Sequence, residues 1–194
     1  ILEDDDLETY LELLSSAHPD LSWSREERLS YWINAYNAFT VKLILDNYPV
    51  ESIKDISGPW TKEFIVIEGI PYSLGDIEHK VLRKLYNEPR IHYAISCASI
   101  SCPDLPNEAI MADILEGQLD RMAERFINDP SKNLIEKDEV KLSKIYKWFK
   151  SDFTVSSSLK DHLKKYSTVE IDKATKIEYL EYNWKLNDIA SKEH

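Results

Sequence analysis

Apolar residues recur at helical spacing over much of this chain and at strand spacing over a few short runs. Leu7, Tyr10, Leu11 and Leu14 mark one face of a short amphipathic helix over Asp5–Ser15. Ser24 then opens S-R-E-E, a capping box in which Ser24 and Glu27 satisfy each other's orphan amides. The helix it starts is expected to run to about Asn47 and to stop at Tyr48-Pro49. Between Tyr31 and Leu45 it is apolar nearly all round, so it belongs in the middle of a domain, with Trp32 and Phe39 in the core.

The segments 64–67 and 70–72, joined by Glu68-Gly69, read as a hairpin. Ser73, with Asp76 three residues on, caps a helix expected over Leu74–Tyr86. The apolar run Ile91–Ile95 reads as a buried strand, which places Ile91, Tyr93, Ile95 and Cys97 on one face and His92, Ala94 and Ser96 on the other. A long helix from Asn107 to about Asn128 follows, then a second hairpin over Leu134–Leu142. Short helices are expected at Lys144–Lys150 and Ser158–Tyr166, and a final strand at Ile177–Trp184. No repeat, low-complexity tract or linker divides the chain. The expected fold is a single helix-rich α+β domain over residues 1–194, its buried central helix packed on a small antiparallel sheet.

Length and composition narrow the function. A chain of 194 residues rich in Tyr and Trp can bury a sizeable core. Its net charge of −11 argues against nucleic acid as a partner, since phosphate binding needs a basic surface. No apolar run approaches the roughly 20 residues that span a bilayer. The chain starts at Ile1 without a Met, and on the expectation that a leader or lipid anchor preceded it, a periplasmic or secreted setting is favoured.

Candidate chemistry lies where polar groups interrupt apolar surroundings. Cys97 ends its apolar run and enters a loop of small residues, Ala98, Ser99 and Ser101, closed by Pro103. That is a place for a nucleophile or for a small core residue. Asn34 and Asn37 stand in the most apolar part of the central helix, either tying neighbouring loops to it or orienting a catalytic base. His79, after Glu78, sits on a helix flank and can exchange protons near neutrality. His18 in its loop, and His162 and His194 in polar surroundings, have weaker claims. His92, Cys97 and Cys102 invite a zinc reading, but three ligands with one Cys-x₄-Cys pair fall short of a structural site, and no metal or cofactor is expected.

The segments YWINAYNAF (31–39), SLGDIEHKVLR (73–83) and HYAISCASISCPDL (92–105) resemble the hallmarks of the family of domains of unknown function numbered 547. FIND (126–129), LSKIYKWFKSDF (142–153) and EYNWKLN (181–187) resemble its trailing pattern, which extends the likeness over nearly the whole chain. The resemblance singles out Trp32, Asn34, Tyr36, Asn37, Glu78, His79, Cys97, Ser101 and Pro103. Relatives with Ser in place of Cys102 point to Cys97 as the essential thiol, and against a zinc site or a disulfide.

The resemblance implies a cysteine-plus-histidine signature, and the function expected of these residues is a cysteine-dependent hydrolase or acyl/peptidyl transferase. Cys97 is the expected nucleophile, His79 its base, and Asn34 or Glu78 the group holding the imidazole. Amides of the Ala98–Ser101 loop would stabilise an oxyanion. Because His79 precedes Cys97, a papain- or transglutaminase-like site would have to be permuted. The alternative is a non-catalytic module for a small peptide or a thiol-containing ligand such as glutathione. Its pocket would be lined by Trp32, Trp60, Arg90 and Tyr93, with Ser99 and Ser101 as further ligand contacts.

Overall fold

The computed structural model describes residues 5–172 and 174–188. Its centre is α2 (Arg25–Asp46), preceded by α1 (Asp5–Ser15). The Ser24–Glu27 capping box is formed: the Glu27 amide donates to the Ser24 hydroxyl at 3.1 Å, and the Ser24 amide donates to the Glu27 carboxylate at 2.6 Å. Trp32, Ile33, Ala35, Tyr36 and Phe39 of α2 are all buried, as an all-round apolar helix requires.

Strands β1 (Ile65–Ile67) and β2 (Ile70–Tyr72) form the expected hairpin, which puts Ile65 and Ile67 into the same core as α2. Ser73 caps the next helix through mutual bonds with Asp76. That helix is a π-helix over Asp76–Leu82, continued by α3 (Arg83–Tyr86). Gly75 at its start is dictated by contact: a Cβ there would stand 2.6 Å from the Trp60 carbonyl oxygen, which accepts the Gly75 amide at 2.9 Å.

The expected strand at 91–97 is absent. Ile91–Ala94 is a single helical turn, α4, entered through bonds from the Ile91, His92 and Tyr93 amides to the carbonyls of Glu88, Pro89 and Arg90. An apolar run this short fits a buried helix as well as a buried strand, because burial on every side removes the periodicity that tells them apart. Extended backbone begins only at Ile95.

The helix expected from Asn107 starts later. A 3₁₀ turn at Ala112–Ile114 leads into α5 (Leu115–Asn128). Strands β3 (Leu134–Ile135) and β4 (Val140–Leu142) pair antiparallel, whereas β5 (Ile177–Tyr179) lies parallel to β4, so the second sheet is mixed. The final strand is therefore shorter than expected. Between β4 and β5 come α6 (Ile145–Trp148), α7 (Lys150–Phe153) and α8 (Leu159–Lys164), the last capped by Ser158. Two clusters of buried side chains result, one around α2 and one around Tyr93, Phe126, Tyr146 and Phe153, within a single α+β domain. Among the described residues, no helix is long and apolar enough to cross a membrane.

Candidate active site

The 97–102 loop owes its position to two other segments. On one side, Asn37 accepts the Ser96 amide at 2.9 Å and donates to the Ala94 carbonyl at 2.8 Å, fixing the loop's entry to α2. On the other side, residues after β5 run along the loop. The Ile100 and Ser101 amides donate to the Lys185 and Asn183 carbonyls, and the Asn183 amide donates to the Ser101 hydroxyl at 2.8 Å. This contact carries Tyr182 and Trp184 to the thiol. Ala98, directly after Cys97, has φ of 57°, a left-handed conformation uncommon for a residue with a Cβ.

Cys97 opens onto a cavity of about 200 Å³. Trp60, Trp148, Phe149, Tyr182 and Trp184 supply apolar walls, while Glu78, His79, His92 and Cys102 supply the polar groups. The Cys97 sulfur lies 3.2 Å from the Ser99 hydroxyl and 3.4 Å from that of Tyr182. Ser99 itself donates to Tyr182 at 3.2 Å, which leaves the Tyr182 proton directed at the sulfur. A hydrogen bond from the Cys102 thiol, with those from the Tyr182 hydroxyl and the Ser99 backbone amide, outweighs burial and lowers the Cys97 pKa to about 7.

The π-helix places Glu78 and His79 on this cavity, and such widened turns recur at functional sites. Glu78 is buried, accepts from the Tyr36 hydroxyl at 3.3 Å and lies 3.9 Å from His79 Nδ1. Burial, reinforced by the charge of Cys97, raises its pKa to about 7. A carboxyl held this way stabilises the fold most below its ordinary pKa of 4.5, and that contribution is lost as pH rises through about 7. Glu78→Gln is therefore expected to leave stability near pH 4.5 almost unchanged and to raise it above pH 7 by on the order of 3 kcal/mol. Urea unfolding at the two pH values checks this, and an equal effect at both would refute it.

The two imidazoles differ in what they can do. His79, its side chain 51% exposed, accepts from Arg83 Nη1 at 3.2 Å through Nδ1, so its proton is on Nε2 and it presents a donor. His92 is buried and stacks on Phe149 with ring centroids 4.2 Å apart. Its Nε2 donates to Asp152 at 2.8 Å. Asp152 is gripped by Arg83 at 2.6 and 3.0 Å, and these bonds, against burial, hold its carboxyl well below the usual range. The remaining nitrogen of His92, Nδ1, has the lone pair of a base. Burial lowers the His92 pKa despite Asp152, so the ring is neutral at pH 7.

This corrects the expected separation of His92 from Cys97. The absent strand alternation gave that expectation, and both residues line one cavity. Among the described residues, the Cys97 sulfur's hydrogen-bond partners include neither imidazole.

Other expected site residues lie elsewhere. Asn34 is bonded in both directions to the Ile110 backbone and takes no part in holding an imidazole. Arg90 is clamped by Glu88, Glu116 and Asp120, away from the cavity. Trp32 packs on Tyr72 and His18 in the core, and Tyr93 donates or accepts at 2.8 Å with His162 in the second cluster. Of the residues expected to line a binding pocket, Trp60 does so. Ser99 and Ser101 serve the loop: Ser99 touches Cys97 and Tyr182, while Ser101 accepts from Asn183. The Ile100 and Ser101 amides, committed to the tail, are not available to an oxyanion.

His162 is buried, contrary to its polar neighbours in sequence, and His18 is half-buried against Tyr72; His194 lies outside the described residues. Asp152 and Tyr182 escaped the sequence reading, although both fall within the trailing motifs at 142–153 and 181–187. Among the described residues no group of three His, Cys, Asp or Glu side chains converges to hold a metal ion.

Comparison with known families adds one finding. The model of a family described as proteins of unknown function, DUF547, matches residues 21–127, about 55% of the chain. The chain belongs to this family. The match takes in α2, the π-helix and the Cys97 loop, but stops short of Asp152 and Tyr182, so it covers less of the chain than the motifs suggested. No curated protein and no solved structure matches.

Proposed function

We propose that this DUF547 member is a cysteine-dependent hydrolase or acyl/peptidyl transferase, with Cys97 as nucleophile and His92, oriented by Asp152, as its base. The observation that supports it best is the pairing of an acidified thiol with an imidazole whose Nε2 is fixed on a carboxylate, both on one aromatic-walled cavity. The Cys97 thiolate attacks a carbonyl to form a thioester. The imidazolium of His92 protonates the leaving group. Water or an acceptor then releases the acyl group and restores the thiol. His79, presenting N–H, is suited to bind the developing oxyanion. The aromatic walls suit the side chain of a small peptide or an acyl group.

Two measurements test the reading. Iodoacetamide should alkylate Cys97 with a rate midpoint near pH 7, where an ordinary thiol gives about 8.5. Excess p-nitrophenyl acetate should give a burst of nitrophenol and an acetyl group mapping to Cys97, both absent in Cys97→Ala. A Cys97 that is inert to both probes at pH 7.5 would eliminate the enzyme reading in favour of a binding module. Substitution of Asp152 distinguishes His92 from His79 as the base of Cys97.

A further inference from the structure

The cavity holds a second thiol that forms no covalent bond in acyl transfer. Cys102 is buried, 4% exposed, yet lines the same cavity as Cys97. Its sulfur accepts the backbone amide of Cys97 at 2.9 Å, and its thiol is close enough to the Cys97 sulfur to acidify it. Both are free. The turn closed by the Cys102 amide on the Ser99 carbonyl, 3.0 Å, brings residue 102 back over residue 97.

We propose that Cys97 and Cys102 form a dithiol that exchanges with small-molecule or peptide disulfides, Cys97 attacking and Cys102 resolving. The burial of the pair fixes the order. Only Cys97 is partly exposed, so an incoming disulfide meets its sulfur first. Attack of the Cys97 thiolate on R–S–S–R forms the mixed disulfide Cys97–S–S–R and expels one thiolate, RS⁻. The Cys102 sulfur then attacks Cys97 Sγ, forming the internal disulfide and expelling the second. The protons of the two thiols end on the two departing RS⁻ groups. The protein loses two electrons and the substrate disulfide gains them.

The electrostatics favour this sequence. Burial, and then the hydrogen bond and charge of Cys97, hold the Cys102 thiol protonated in the resting pair. Once Cys97 is in a mixed disulfide its charge is gone, while its amide still points at the Cys102 sulfur and favours the thiolate there. Tyr182 and Ser99, which contact the Cys97 sulfur, are placed to protonate or solvate it when the pair is reduced again.

The test uses the reduced full chain and oxidised glutathione at pH 7.5. Wild type should convert to an internal disulfide with two glutathione molecules released. The product should appear as an unalkylated peptide 91–121, lighter by two hydrogens, since no Lys or Arg lies between Ile91 and Arg121. Cys102→Ser should instead accumulate a stable glutathione adduct on Cys97, and Cys97→Ser should form none. A lasting mixed disulfide in wild type, or no reaction of either thiol, would overturn the proposal. The wild-type measurement decides even if a variant fails to fold. The outcome is independent of the acyl-transfer reading, which is scored by nitrophenol release under reducing conditions.

Discussion

Asp152→Asn is expected to lower the turnover of p-nitrophenyl acetate by roughly 10³- to 10⁴-fold with little change in KM, the same range as the equivalent change behind the histidine of a serine-protease triad. The reason is a lost charge. Asp152 Oδ2 accepts from both His92 Nε2 and Arg83 Nε, and Oδ1 accepts from Arg83 Nη2. An Asn has one oxygen for these donors, so in either orientation its NH₂ is turned against an N–H of Arg83, which only donates. The pair with Arg83 is broken, and His92 loses both its fixed orientation and the negative charge that stabilises its imidazolium when it takes the thiol proton. The thiol itself is untouched, because Ser99, Tyr182 and Cys102 surround it. Iodoacetamide alkylation of Cys97 near pH 7 should therefore stay within about threefold of wild type, which separates a lost base from a damaged site. If His79 were the base instead, Asp152→Asn would act only through the Arg83 contact, and His79→Gln would give the larger loss. Turnover of Asp152→Asn within about threefold of wild type would end the assignment to His92.

How far the site was legible in the sequence follows from where its parts lie along the chain. The caps at Ser24 and Ser73 were readable because each is a local bond between residues three apart. The all-round apolar helix was readable because burial on every side leaves a compositional mark. Glu78, His79 and Cys97 were found because polar groups stood out locally, and they do share a cavity. The face of His92 was misassigned because Ile91–Ala94 is too short and too uniformly buried for alternation to mean anything. Asp152 meets His92 across 60 residues, and Tyr182 meets Cys97 across 85. Contacts over such separations have no local signature. The π-turn was equally hidden: regular helical spacing predicts an apolar stripe of Ile77, Val81 and Leu85, whereas the i→i+5 widening buries Ile77 and Leu82 and leaves Leu85 exposed.

Phe39→Ala is expected to cost about 3–5 kcal/mol, a large share of the 5–15 kcal/mol that holds a typical domain together. Phe39 lies mid-way along α2, 7% exposed, and meets Phe64, next to β1, edge-to-face with centroids 6.5 Å apart. Removing the ring takes its apolar surface out of the core and leaves a void that neighbours on two elements can fill only by moving. They are not free to move far. The preceding turn of α2 holds Tyr36, bonded to Glu78, and Asn37, bonded to the entry of the Cys97 loop. A collapse of the core toward position 39 would have to drag these with it, so the cavity should remain largely open and the cost stay near the upper end of the range. The same coupling predicts a functional trace: in the folded fraction, the iodoacetamide midpoint of Cys97 should move upward from about 7 if α2 shifts the loop. Urea unfolding of the variant decides the main point. A loss below about 1 kcal/mol would mean that α2 is not packed on this side, and the placement of the central helix would have to be abandoned.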